Sequence, residues 1–331
     1  MDATLHADLQ SALHRHCGTD HQLLSCQRLT AGASAETYAV DIRRNNQELA
    51  LILRRSAAGS PSLGVNVDKH TEALVQMVAA KQGVPAPRVL FILDEADNLG
   101  EGYVMQRVTG ETLPKRILGD SQYAEAREKL TEQCAAALAN IHSIPTEALP
   151  ELALLPATPQ LKQIERLYRG SPLASPVFEL AFRWLANNLP PEGPDMRLVH
   201  GDFRNGNLLI DESGLRLILD WELTHVGNPL EDLGWLCVNA WRFGQRNKPV
   251  GGFGKREALC RAYEKAGGIA VDPAQLRFWE IFGTLKWGVI CIMQTMLHLS
   301  GAVPSVERAV IGRRVSETEL DILDLLEGCD A

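Results

Sequence analysis

The densest group of chemically able side chains is Val199-His200-Gly201-Asp202-Phe203-Arg204-Asn205-Gly206-Asn207-Leu208-Leu209-Ile210. Asp202 and Asn207 stand five apart on a polar stretch that runs into an apolar, strand-like one. That pairing suits phosphoryl transfer to a hydroxyl. Such transfer needs one group to orient the attacking O–H and take its proton late, and a neutral oxygen ligand for Mg²⁺. Asp202 supplies the first and Asn207 the second, with His200 as an internal brace of the loop. Thirteen residues beyond Asn207, at the end of the apolar run Leu215–Leu219, comes Asp220-Trp221-Glu222. A carboxylate at the end of a buried strand is well placed to ligate a Mg²⁺ that bridges phosphates. A hairpin from Asn207 to Asp220 would carry both residues at its open ends. Isolated Asp residues also serve as caps and turn formers, and short motifs match by chance. The second carboxylate at this spacing favours the catalytic reading.

These residues need elements to position them, and the chain divides in character. Leu23–Leu29, Glu36–Ile42, Glu48–Arg54, Arg88–Leu93 and Tyr103–Val108 read as strands, separated by turn formers such as Arg43-Arg44-Asn45-Asn46. A helix over Val67–Lys81 falls between the third and fourth, stopped by Gly83 and Pro85. After Gly110 the pattern is mostly helical. Leu130, Cys134, Leu138 and Ile141 recur at helical spacing, and further helices are expected at Leu161–Tyr168, Val177–Asn188, Pro229–Phe243, Lys255–Lys265, Pro273–Leu299 and Ser305–Glu327. Among them lies a strand-like island, Arg197–His200, Asn207–Asp211 and Leu215–Leu219. The expected fold class is α+β: an N-terminal lobe over residues 1–107 with a small antiparallel sheet, and a mostly helical C-terminal lobe over 108–331. A ligand cleft between two such lobes is the usual arrangement.

The run from His200 to Asn207, followed by Asp220, resembles the catalytic and metal-binding loops of aminoglycoside phosphotransferases, choline kinases and fructosamine kinases. The wording "HGDFRNGNLLID…LILDWELTHVGNPLEDLGWL" is similar above all to the phosphotransferase-like domain associated with acyl-CoA dehydrogenases, over Leu29 to about Met296. The resemblance implies a protein-kinase-like two-lobed fold, Asp202 as catalytic base, and Asn207 and Asp220 as Mg²⁺ ligands. It places Arg54, on the third strand, where a lysine usually meets the nucleotide's α- and β-phosphates, and Glu72 where a helical glutamate pairs that cation. Arginine binds phosphate well but its planar fork is not a lysine equivalent. Ser34, in Leu29-Thr30-Ala31-Gly32-Ala33-Ser34, falls on the loop that would cover the phosphates. Ala31 and Ala35 depart from the Gly and Asn usual there. Backbone groups of Gln106 and Val108 match the linker that meets a purine edge. Arg204 could neutralise charge on the transferred phosphoryl. Glu222, Lys286 and Trp287 could face the acceptor, although a lysine on such a helix also snorkels to the surface. Asp232, in Gly227-Asn228-Pro229-Leu230-Glu231-Asp232, is expected to brace the catalytic loop, with Asn228 as N-cap and Pro229 at the first helical position.

The implied function is a small-molecule kinase that uses Mg²⁺ and moves the γ-phosphoryl of ATP or GTP onto an acceptor hydroxyl. The dehydrogenase-linked branch suggests a hydroxyacyl thioester as acceptor and a functional link to an acyl-CoA dehydrogenase. A sugar, amino-alcohol or aminoglycoside kinase is the alternative within the enzyme class. A nucleotide-binding pseudokinase that partners a dehydrogenase is the alternative outside it. The net charge of −8 argues against a general nucleic-acid binder, which needs a basic face. The apolar stretch Phe278–Leu299 is interrupted by Glu280, Lys286, Gln294 and His298, which suits a buried helix better than a membrane span. Seven scattered cysteines with no CxxC pair suggest neither a disulfide framework nor a zinc site, and a cytoplasmic setting is expected.

Overall fold

The computed structural model describes residues 3–29, 35–56, 66–191, 193 and 196–328, and Ser34 lies outside them. The chain forms two compact units. The first comprises residues 1–110, 147–151 and 217–223, and the second comprises 111–146, 152–216 and 224–331.

The first unit opens with helix α1 (Ala3–Cys17), then strands β1 (His21–Leu29), β2 (Ala35–Arg44) and β3 (Gln47–Ser56). Helix α2 (Lys69–Lys81) follows, then β4 (Val89–Ile92) and β5 (Gly102–Gln106). The strands form one antiparallel sheet in the order β1-β2-β3-β5-β4. Side chains alternate across a strand, and β3 shows the consequence. Leu51 and Leu53 join a core built on Leu9, Ala12 and Leu13 of α1, whereas Ile52 joins Ala73 of α2, Tyr103 and Met105 on the other face. Arg54 belongs to the α2 face and Arg55 to the α1 face, where it pairs with Glu36 and lies over the Tyr38 ring. Helix α1 carries no apolar stripe strong enough to stand out in a polar N-terminal stretch, yet three apolar residues suffice to cover the sheet.

The second unit contains α3 (Pro114–Gly119), α4 (Ala124–His142), α5 (Ala157–Arg169) and α6 (Pro176–Asn187). The strands β6 (Arg197–Val199), β7 (Leu208–Asp211), β8 (Gly214–Ile218) and β9 (His225–Gly227) come next. Then follow α7 (Leu230–Cys237), α8 (Arg256–Lys265), α9 (Pro273–Leu299), α10 (Val306–Ile311) and α11 (Val315–Glu327). Two small sheets result, β6 with β9 and β7 with β8, and the end of β8 runs into the segment 217–223 of the first unit. Helix α9 begins where the sequence places it: Pro273 sits at the first turn and the Asp272 carboxylate accepts from the Ala274 N–H. It runs through the middle of the unit, against α7, α10 and α11.

Two expected helices are shorter than their sequence patterns. The stretch Pro229–Phe243 is helical only as α7, followed by a 3₁₀ turn over Asn239–Trp241. The guanidinium of Arg242, fully buried, donates to the carbonyl of Cys237 at 2.8 Å and to Glu280 at 2.9 Å, so a side chain takes the place of the next helical turn. The stretch Ser305–Glu327 is broken by a 3₁₀ turn over Gly312–Arg314, at a glycine of low helix propensity. Among the described residues, no helix is long and apolar enough to cross a membrane.

The approach of α7 to α9 depends on Gly234. A Cβ there would lie 2.6 Å from Trp279 Cβ and 2.7 Å from the Trp279 backbone carbon. Alanine favours a helix over glycine by about 1 kcal/mol, but backbone cannot yield cheaply to a contact that short. Gly234→Ala is therefore expected to lower the unfolding free energy by roughly 1–3 kcal/mol, read from urea unfolding.

Candidate active site

In the second unit the residues from His200 to Asn207 come together around Asp202. Its Oδ1 accepts from the indole N–H of Trp235 at 2.7 Å and from Arg204 Nε at 3.0 Å. Its Oδ2 accepts from the Asn207 amide at 2.6 Å. The Asn207 nitrogen also reaches the Asp202 carbonyl at 3.0 Å, which directs the amide N–H₂ to Asp202 and leaves the amide oxygen to face elsewhere. Gly206 makes the turn between them with φ +118, and a Cβ there would lie 2.6 Å from the Arg204 guanidinium. That guanidinium lies over Trp241, 4.6 Å from the ring centroid. Trp235 and Trp241 are in contact at 5.2 Å, and Trp287 continues the row at 4.8 Å from Trp241. Lys286 does not snorkel: its Nζ sits 5.0 Å over Trp235 and 3.6 Å from Glu231.

Beneath the loop is Asp232, with no solvent exposure. Its two oxygens accept from the backbone N–H of His200 at 2.8 Å and of Gly201 at 2.9 Å. His142 Nε2 lies 3.1 Å from the same carboxylate, and His142 Nδ1 lies 2.8 Å from the Tyr263 hydroxyl. The brace expected of Asp232 is present. His200 adds to it, since its Nδ1 accepts from the Asp202 N–H at 3.3 Å. Asn228 Oδ1 accepts from the Leu230 N–H at 2.9 Å, but α7 begins at Leu230 with Pro229 in the cap position, one residue later than the sequence pattern places it.

In the first unit, Arg54, Glu72 and Asp220 come together. Glu72, fully buried, lies 3.0 Å from Arg54 Nε and accepts from the Tyr103 hydroxyl at 2.9 Å. Arg54 also donates to Asp220, and it reaches Glu222 at 3.2 Å. Burial works against the charge on Arg54, but Glu72, Asp220 and Glu222 outweigh it and hold its pKa above the ordinary value. Burial, helped by Glu72, pushes the Tyr103 phenol well up. Asp220 has φ +67, a left-handed conformation rare for a residue with a side chain. The segment is pinned on either side of it: the Ile218 N–H donates to the Pro85 carbonyl at 2.7 Å and the Val67 N–H to the Glu222 carbonyl at 2.9 Å. Glu222 thus faces cations of its own unit.

One member of this cluster carries no motif signal. Lys69 Nζ donates to Glu72 at 2.6 Å and to Glu222 at 3.2 Å. The only trace of it in the sequence is its place one helical turn before Glu72. Trp235 is likewise unmarked, since an indole N–H aimed at Asp202 follows from the packing of α7. Gln106 closes β5, where its N–H donates to the Arg88 carbonyl at 2.8 Å, and Val108 lies half-buried two residues beyond.

The profile of the phosphotransferase enzyme family matches residues 25–279. The chain belongs to this family. Acyl-CoA dehydrogenase family member 11 of Rattus norvegicus is 28% identical over 302 residues, which cover 84% of this chain and 37% of that protein. The chain thus spans little more than a third of that relative. Among solved structures, one described as an aminoglycoside phosphotransferase from Ralstonia eutropha matches with a TM-score of 0.76 and 19% identity, over 97% of this chain and 98% of the other. Spectinomycin phosphotransferase, solved with ADP and spectinomycin, matches with a TM-score of 0.61 and 14% identity, over 94% and 93% of the two chains. At these identities the likeness establishes the fold, the kinase-like α+β arrangement of an antiparallel sheet followed by a mostly helical unit.

The loop from His200 to Asn207 rests on Asp232, and the electrostatics of that carboxylate set a pH dependence. Burial would raise this carboxyl, but the His142 contact and the backbone N–H of His200 outweigh burial and hold it below the ordinary carboxylate value. A depressed folded-state pKa contributes stability that is complete above the unfolded value, ~3.9, and lost as pH falls through the folded value. Asp232→Asn, which leaves one N–H without an acceptor, is expected to cost roughly 1–3 kcal/mol at neutral pH. The gap to wild type should narrow as urea unfolding is repeated below about pH 4.

Proposed function

We propose that this chain is a small-molecule kinase that transfers the γ-phosphoryl of ATP or GTP to an acceptor hydroxyl, with Mg²⁺ bound. The observation that carries the proposal is the carboxylate of Asp202, presented by three donors in the middle of a braced loop. Family membership supports it, as does the ADP bound to the spectinomycin phosphotransferase of like fold.

In this reading Asp202 orients the acceptor O–H and takes its proton late in the transfer. Asn207 and Asp220 would hold the metal. The fit of Asn207 follows from its amide nitrogen being taken up by Asp202, which turns an oxygen outward. Asp220 offers a carboxylate that already attracts a cation, Arg54. Bound Mg²⁺ neutralises charge on the phosphates. Arg54, with Glu72 behind it, binds the α- and β-phosphates, Ser34 belongs to the covering loop, and backbone groups of Gln106 and Val108 meet the purine. The proposed division falls at residues 1–107 for the nucleotide and 108–331 for catalysis and the acceptor.

Arg204 is directed at Asp202 here, from which it can turn toward a transferred phosphoryl. Besides Asn207, Asp202 is met by Arg204 and Trp235, and Trp241 and Lys286 lie against these two in turn, so the surroundings are cationic and aromatic. They suit an acceptor with negative charge better than a polycationic antibiotic. A hydroxyacyl thioester fits that description and agrees with the names of the dehydrogenase relatives. A functional link to an acyl-CoA dehydrogenase and a cytoplasmic setting are part of the same proposal. One observation favours the second reading, a nucleotide-binding pseudokinase: an arginine, closed onto Asp220, stands in place of the usual lysine.

Two measurements test the proposal. Arg54→Ala is expected to weaken Mg²⁺–ATP or Mg²⁺–GTP binding about tenfold or more in calorimetry, while Arg55→Ala, on the other face of the sheet, leaves it unchanged. On an acceptor found by screening hydroxyacyl-CoAs, sugars and amino alcohols for nucleotide consumption, Asp202→Asn should keep nucleotide affinity and lose about 10²–10⁴-fold in turnover. Unchanged turnover would remove Asp202 from the base role, and nucleotide binding with no acceptor turnover in wild type would favour the pseudokinase.

A further inference from the structure

The first unit places two cations, not one, against the buried glutamate of α2. Glu72 has no solvent exposure and Lys69 is 5% exposed. The directed hydrogen bonds to Glu72 come from Lys69 Nζ at 2.6 Å and the Tyr103 hydroxyl at 2.9 Å. Arg54 Nε is equally close, 3.0 Å, but lies there as an ion pair without hydrogen-bond alignment. Lys69 also bridges to Glu222 at 3.2 Å, and its own N–H donates to Glu101 at 2.6 Å, which fixes the first turn of α2. Its backbone and its ammonium group are therefore both anchored.

Charge balance gives this geometry its meaning. Arg54 and Lys69 face three carboxylates, Glu72, Asp220 and Glu222. When phosphates draw the Arg54 guanidinium away, Glu72 would be left as a fully buried carboxylate, which is strongly unfavourable without a counter-ion. Besides Arg54, Lys69 is the described cation that touches Glu72, and it is placed to remain there while also reaching Glu222. We propose that Lys69 is the permanent counter-ion of Glu72 and Glu222, and that its presence lets Arg54 engage nucleotide phosphates. Lys69 acts through Arg54 and is a positioning residue. The assignment rests on the proposed nucleotide-binding function.

The test is calorimetric titration of the full chain with Mg²⁺–ATP and Mg²⁺–GTP, alongside thermal unfolding without nucleotide. Lys69→Met should bind the preferred nucleotide at least tenfold more weakly, because Glu72 and Glu222 then retain Arg54. Lys69→Arg should stay within about threefold of wild type. Adding Glu222→Gln to Lys69→Met should recover a good part of the loss, since it removes one carboxylate that competes for Arg54. Should Lys69→Met fail to fold, Lys69→Gln, which keeps a donor but not the charge, serves in its place with the same expectations. Wild-type affinity in the neutral variant overturns the assignment, even if its Tm falls. So does a loss that Glu222→Gln leaves untouched, which would make Lys69 a packing residue. If wild type binds neither nucleotide with Mg²⁺, the proposed function fails and this assignment with it. That outcome is distinct from every failure confined to Lys69.

Discussion

The buried carboxylate of Asp232 is the constraint on which the second unit's polar loop depends. A loop of backbone N–H groups entering an apolar interior must find acceptors, and unpaired buried donors are costly. Asp232 answers for two consecutive N–H groups with its two oxygens, and His142 orients it from the far side. The chain between His200 and Asn207 is thereby fixed at its root, and Asp202 is presented by Trp235, Arg204 and Asn207 at its tip. Helix α7 supplies both Asp232 and Trp235, and Gly234 between them lets that helix close on α9. Packing and chemistry are joined in one short segment.

The first unit solves a related problem with charge. A cluster of three carboxylates and two cations is tolerable in a partly dry site only if each carboxylate keeps a partner. Tyr103 and Lys69 satisfy Glu72, while Arg54 divides its guanidinium between Glu72, Asp220 and Glu222. The alternation of β3 makes this possible, since it gives one of two neighbouring arginines to each face of the sheet. Arg55 is absorbed by Glu36 and Tyr38, and Arg54 alone reaches the cluster.

Much of this was legible in the sequence because local signals and tertiary demands agree. All five strands of the sheet carry apolar residues between turn formers, with β-branched residues in four of them, and α9 announces itself with Asp272 and Pro273. The loop from His200 to Asn207 and the acidic pair Asp220 and Glu222 stand out because polar residues interrupt apolar runs at fixed spacing. What stayed hidden depends on contacts between distant segments. Helix α1 has three buried apolar residues and needs the sheet to justify them. The end of α7 is decided by Arg242, a buried arginine that no propensity anticipates. Lys69 and Trp235 read as an ordinary helical lysine and a core tryptophan until their partners are seen.

The row of indoles in the second unit has an optical consequence. Trp235, Trp241 and Trp287 stand 5.2 and 4.8 Å apart in sequence along the row, close enough for excitation to pass readily from one ring to the next. Arg204, Lys286 and Arg314 each lie over one of these rings, and a cation at that distance perturbs the excited state of an indole. Emission from the row is therefore sensitive to any molecule that draws Arg204 off Trp241. The protein carries, beside Asp202, an intrinsic fluorophore that reports where Arg204 stands.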